Sequence, residues 1–187
     1  SVAGMESFSF LLITLLFGSG SFLTMERAAG HTSPSSGCVL PKACPMTGYE
    51  DWYKVGSRCV KYFSNPLNFS ASEFSCRSTA PGGHLVSVHN SKANGDVLCI
   101  VIKLNPRNLR IWIGGFDLVI FFCLDGSFWN FQIWTRGEPN HMYTSLEECA
   151  EMNWKEIGRW NYDSCYVKKN YICAFKQNVI LKLGSVK

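Results

Sequence analysis

Glu138-Pro139-Asn140, followed by Glu147-Glu148-Cys149 and then by Gly158-Arg159-Trp160-Asn161-Tyr162-Asp163-Ser164-Cys165, is the stretch on which the reading of this chain turns. It places two carboxylates, Glu138 and Glu147, and two carboxamides, Asn140 and Asn161, at or near the lips of one loop bounded by Cys149 and Cys165. Oxygens in that number suit a hard cation such as calcium, which takes about six to eight oxygen ligands. Taken residue by residue, the alternative is a solvated surface loop, because polar side chains beside a proline are ordinary turn material.

Working outward, 187 residues favour one domain with an N-terminal appendage, and 47% hydrophobic with 14% aromatic residues is enough for a real core. Nine cysteines fit an oxidising compartment, and their odd number leaves one thiol without an internal partner. No two stand in the C-x-x-C spacing of a zinc site or a redox dithiol. The net charge of +4 is mild, and the basic residues are scattered while Glu138, Glu147, Glu148, Glu151 and Glu156 cluster. A nucleic-acid partner would need basic residues gathered on one face, so that class is set aside.

Met5 is the first acceptable initiator, so residues 1–4 are expected to be upstream translated sequence or an expression artefact. Phe8 to Phe17 is an apolar run of signal-peptide length, with small residues at Gly18 to Ser21 where a peptidase could cut, although Glu6 precedes it and no basic residue does. A membrane helix is the alternative, but it needs about 20 apolar residues. The expected organisation is a signal peptide within 1–24, a flexible leader over 25–43, a folded module over 44–176 and a tail over 177–187. The mature product is expected to be secreted and extracellular, with no membrane span.

Within the module, Tyr53-Lys54-Val55 and Arg58 to Phe63 flank a Gly56-Ser57 turn and predict a hairpin, with Asn65-Pro66 breaking the second strand. Ser70-Ala71-Ser72-Glu73 has the form of a capping box opening a first helix that carries Cys76. Asn90 caps a second helix through Leu104, despite the cost of Gly95. His84 to Val88, Arg110 to Gly115, and aromatic runs around Phe128–Trp134, Cys149–Trp154, Arg159–Asn161 and Tyr171–Phe175 read as short strands. Two early helices and many late strands give an α+β class.

Phe74-Ser75-Cys76, Gly83-His84-Leu85-Val86-Ser87-Val88, Trp112-Ile113-Gly114-Gly115, Glu138-Pro139-Asn140, Cys149, Gly158-Arg159-Trp160-Asn161, Cys165 and Tyr171-Ile172-Cys173 stand in one order over roughly 100 residues. In that order the chain resembles the C-type lectin domain family, and upstream Cys44 and Cys59 resemble the N-terminal hairpin of its long form. Trp112 to Gly115, Ser127-Phe128-Trp129-Asn130-Phe131 and the pair Cys99 and Cys123 are similar to fish secreted C-type lectins and to eosinophil major basic protein-like domains. The resemblance implies two short helices, small antiparallel sheets and a long disulfide-closed ligand loop. It implies the disulfides Cys44–Cys59, Cys76–Cys173, Cys149–Cys165 and Cys99–Cys123. Cys38 then remains as the free or intermolecular cysteine, able to link a homodimer.

The resemblance also implies a calcium ion held by Glu138, Asn140, Glu147 and Asn161, with adjacent sugar hydroxyls completing the shell and a cis bond before Pro139. Glu-Pro-Asn is similar to the version that takes mannose-type sugars. Tyr162 stands where the family carries an aspartate, which removes one carboxylate. Asp163 is next to it, but a one-residue shift in a strand turns the side chain to the other face, so an exposed surface acid is the expected role. His141 and Glu148 give little support for accessory calcium sites.

Elsewhere, His84 reads as structural, and His31, His89 and His141 as exposed. Trp112, Trp129, Trp134, Trp154 and Trp160 read as core, and Asn68-Phe69-Ser70 is a glycosylation sequon. No nucleophile–base set stands out, so an enzyme is not expected. The reading is a secreted, mannose-type, calcium-linked carbohydrate-binding lectin with a weakened calcium site. The alternative is a calcium-independent module of the same fold that binds protein, glycosaminoglycan or another surface.

Overall fold

The computed structural model describes residues 37–117, 121–139 and 148–177. The expected signal peptide, most of the leader and the C-terminal tail beyond 177 lie outside them. Among the described residues the elements are β1 (Tyr53–Val55), β2 (Arg58–Leu67), α1 (Phe69–Thr79), β3 (His84–Leu85), α2 (Ser91–Leu104), β4 (Ile111–Asp117), β5 (Phe121–Cys123), β6 (Glu148–Met152), β7 (Trp160–Ser164) and β8 (Lys169–Lys176). The fold is α+β. The strands join in one sheet of order β1-β2-β8-β4-β6-β7, with β3 on β8 and β5 on β4. The β4–β8 pairing, Ile111 with Asn170 and Trp112 with Tyr171, is parallel, while the others are antiparallel.

Gly56 closes the β1–β2 hairpin at a φ of 58°, a left-handed conformation that a side chain would resist. Pro66 does not end β2 as expected. The strand runs on to Leu67 through a register shift between Phe63 and Leu67, and a bulge is where a residue without an N–H can be accommodated. The aromatic stretch Phe128–Trp134 also departs from expectation. It forms no strand, only a bridge from Trp134 to Trp160, and Phe128 is 90% exposed.

Asn90 caps α2, its side chain accepting from the Ala93 N–H. In α1 the cap is Asn68, not Ser70. Asn68 is extended and its Oδ1 accepts from the Ala71 N–H at 2.8 Å, which lets the helix start two residues early and bury Phe69. Glu73 therefore closes no capping box. Its carboxylate, 8% exposed, instead accepts from the Leu85 N–H and from Arg77 and lies 2.7 Å from His84 Nδ1, tying α1 to β3. Replacing Asn68 by alanine is expected to cost about 1 kcal/mol, whereas Asn68→Asp keeps the acceptor and stays within a few tenths. Thermal unfolding of the two variants checks this, and equal melting temperatures would remove the cap from the account.

The core holds Val60, Val97, Ile100, Val101, Ile111, Met152 and Ile172 on one side of the sheet, and Trp52, Cys59, Cys76, Trp112 and Tyr171 on the other. Gly114 and Gly115 have a packing reason, since a Cβ would drive into the Leu85 carbonyl from the first and into the Trp129 ring from the second.

The structure contains Cys44–Cys59, Cys76–Cys173 and Cys149–Cys165. It overturns Cys99–Cys123 and the free Cys38: Cys38 is bonded to Cys99 across a Cα separation of 5.7 Å, and Cys123 is the buried free thiol. The reason lies in the segment expected to be a flexible leader. Its last residues run beside β1, with the Lys42 carbonyl accepting from Lys54 N–H, Ala43 bridging Tyr53, and Leu40 packed on the core. Because α2 packs on β1 and β2, this segment carries Cys38 to Cys99, while Cys123 sits on β5, paired to Gly115. The module thus begins before residue 44, and a homodimer linked through Cys38 loses its thiol.

Candidate functional site

Strand β7 is the floor of the expected ligand site, and its alternation decides which side chains face it. Trp160, 1% exposed, turns into the core, donates its indole N–H to Asn94 Oδ1 at 2.8 Å, and meets the rings of Trp129, Phe131 and Trp134 edge-on. Two residues on, Tyr162 faces the same way, its ring tilted on Trp134 with centroids 4.6 Å apart. A large aromatic stack occupies the place where the resemblance implies a carboxylate. Trp112, Trp129, Trp134 and Trp160 pack as expected, and Trp154 is half-buried under the Lys155 ammonium.

Asn161 and Asp163 turn to the opposite face, into an ion network. Glu151, fully buried, takes a two-pronged bond from Arg110 at 2.9 and 2.7 Å. Arg110 also reaches Asp163 Oδ2 at 2.9 Å, and Lys169, 4% exposed, bridges Asp163 and Glu151 beneath the Trp112 ring. The Arg110 guanidinium is raised above its usual range, first by its hydrogen bonds to Glu151. Asn161 donates its amide to Glu151 Oε1 at 3.0 Å and to the Tyr162 carbonyl at 2.6 Å. Asp163 is therefore not a plain exposed acid; it is one corner of a paired quartet. No spacing in the sequence announces this network, because its four charges come from β6, β7, β8 and the residue before β4.

On the other lip, a turn led by Gly137 at φ 88° brings the Glu138 N–H to the Thr135 carbonyl at 3.0 Å, and the Glu138–Pro139 bond is cis. Asn140, Glu147 and His141 lie outside the described residues, as does the side chain of Glu148. The described residues allow half of the donor set to be tested against calcium. On β7 the Asn161 amide nitrogen, not its oxygen, is engaged by Glu151 and by the Tyr162 carbonyl, Tyr162 has no carboxylate, and that of Asp163 is paired with Arg110 and Lys169. That half fits a calcium ion poorly.

Among the remaining expectations, His84 is held by Glu73, while His89 is half-buried rather than exposed, with Asn130, Ser127 and Arg58 around its ring. Among the described residues no helix is long and apolar enough to cross a membrane.

Comparison with known proteins gives this arrangement its setting. The family model described as the lectin C-type domain matches residues 65–175. The chain is 34% identical over 135 residues to the galactose-specific lectin nattectin of Thalassophryne nattereri, covering 71% of this chain and 80% of that protein. It is 30% identical over 169 residues to a C-type lectin mannose-binding isoform of Oxyuranus scutellatus, covering 88% and 96%. Among solved structures, C-type lectin CEL-I from Cucumaria echinata superposes with a TM-score of 0.62 at 24% identity over 70% of this chain and 96% of its own, a likeness of fold. Herring type II antifreeze protein reaches 0.57 at 28% identity over 72% and 99%. The chain belongs to the C-type lectin domain family.

Proposed function

We propose that this chain is a secreted carbohydrate-binding lectin, not an enzyme, whose sugar site is of the mannose type and whose calcium is held weakly. The observation that carries the reading is the Tyr162 ring seated on Trp134 in the strand where the family places a calcium-binding carboxylate. Glu138, Asn140, Glu147 and Asn161 would hold the ion, which when bound would present its open places to two adjacent sugar hydroxyls. Glu138, Asn140 and Glu147 also supply acceptors and an amide that can bond those hydroxyls and so read their stereochemistry. Glu-Pro-Asn favours mannose-type sugars. The relatives include one named for galactose and one named for mannose, so their names do not choose between the two. In a secreted chain Asn68 would be the glycan acceptor, its Oδ1 capping α1 while the amide nitrogen takes the sugar.

Tyr162 also supports a second reading, a calcium-independent module that binds protein, glycosaminoglycan or another surface through the same face. One experiment separates the two: a glycan array probed with the full chain in calcium and again in chelator. The expected result is weak mannose-type binding that fades in chelator. Glycosaminoglycan binding indifferent to chelator would select the second reading, and no glycan binding in either condition would contradict the first.

A further inference from the structure

Away from the ligand loop, the free thiol of Cys123 has company. His89 precedes α2, Cys123 ends β5, and Asp125 and Ser127 lie in the turn that follows. One ligand atom from each of His89, Cys123 and Asp125 falls within 4.8 Å of the other two. Ser127 Oγ sits among them, 3.1 Å from His89 Nε2 and donating to Asp125 Oδ1. His89 Nδ1 faces Oδ1 of the Asn130 side chain at 2.9 Å, an acceptor, which puts the ring proton on Nδ1 and leaves the Nε2 lone pair aimed at the cluster. Arg58 pairs with Asp125 Oδ2 and lies 3.4 Å from that same nitrogen.

A second observation points to a ligand. The Ser87 hydroxyl, on a residue 6% exposed, has no partner of ordinary hydrogen-bond geometry among the described residues; its polar neighbour is the Cys123 thiol, a poor acceptor. A buried hydroxyl left in that condition costs free energy, whereas a metal-bound thiolate would give it a strong acceptor. Arg58, Ser87 and His89 also line a cavity of about 170 Å³, and Arg58 and Asp125 line a second one of about 380 Å³.

We propose that His89 Nε2, Cys123 Sγ and Asp125 form a binding site for one divalent ion of the zinc class, with Ser127 Oγ or a water as fourth ligand. Tetrahedral zinc with bonds of about 2.0–2.3 Å sets its ligand atoms about 3.3–3.8 Å apart, so the cluster needs to close by up to about 1.5 Å. Thiolate with imidazole selects this class over calcium, which prefers an all-oxygen shell. Binding replaces the thiol proton by the metal and releases it to solvent. Burial pushes the empty thiol up, and the Asp125 carboxyl, which burial alone would raise, is held below the usual range by Ser127 and Arg58, so the carboxylate is ready and the thiol is the group that must give up a proton. Arg58 keeps Asp125 oriented, and its charge holds the affinity down.

The test uses the full oxidised chain and cobalt(II), whose bond to a thiolate absorbs in the near ultraviolet. The expected result is one cobalt per chain, displaced by zinc and not by calcium, with the band abolished in Cys123→Ser and affinity lowered at least about 100-fold in His89→Gln. Zinc is also expected to raise the melting temperature of the unmodified chain, a readout independent of whether either variant folds. Absence of the band in unmodified protein, or its survival in Cys123→Ser, overturns the site.

Discussion

Lys169→Met is expected to lower the unfolding free energy by about 3–5 kcal/mol, the cost of removing one partner from a buried ionic group. Lys169 is 4% exposed and answers both Asp163 and the fully buried Glu151. Methionine fills its volume but leaves the quartet with Arg110 as sole cation against two carboxylates. The penalty comes from the stranded charge, so it should be recoverable. Lys169→Met combined with Asp163→Asn leaves Glu151 with its two-pronged Arg110 bond and restores neutrality. The double variant is expected to regain most of the loss, with a coupling of about 1–3 kcal/mol between the two positions. Urea unfolding of Lys169→Met, Asp163→Asn and the double variant measures it. A single-variant loss below about 1 kcal/mol, or simple additivity, would show that the network is solvated and carries little.

The two helices, the β1–β2 hairpin and the Asn90 cap were legible in the sequence because each is written in adjacent residues: an apolar period, a glycine turn, an acceptor before a helix. The ordered motifs from Cys76 to Cys173 carried the fold as well, since a family pattern spans distances that local propensity does not. Cys38 was misread because composition alone marks its surroundings as a leader, whereas backbone bonds at Lys42 and Ala43 hold that segment to β1. Phe128–Trp134 has the composition of a strand, yet Trp129, Phe131 and Trp134 pack around Trp160 and not on a ladder. At the site, the strand period correctly separated Tyr162 from Asp163. It could not reveal that Asp163 meets Arg110 and Lys169, or that Tyr162 meets Trp134, because those partners come from other elements.

Tyr162 carries the central claim, and its effect should be the largest on binding. The aspartate implied by the family supplies a charged oxygen, and extracellular calcium modules with a full set already bind only at about 10⁻⁴–10⁻³ M, tuned by the number of charged ligands. With Tyr162 on Trp134, and Asp163 and the Asn161 amide engaged on the opposite face, β7 contributes no free carboxylate. Tyr162→Asp restores the charge and is expected to tighten calcium at least about 10-fold, whereas Tyr162→Phe, which keeps the aromatic packing, leaves it unchanged. The decisive measurement is calorimetric titration of calcium into the unmodified chain and into these two variants. A dissociation constant weaker than about 10⁻³ M for the unmodified chain, recovered into the family range by Tyr162→Asp, is the predicted result. Tight calcium binding by the unmodified chain that supports mannose capture and is lost on Asp163→Asn would contradict it, because Asp163 would then be the ligand that Tyr162 is held here to have displaced.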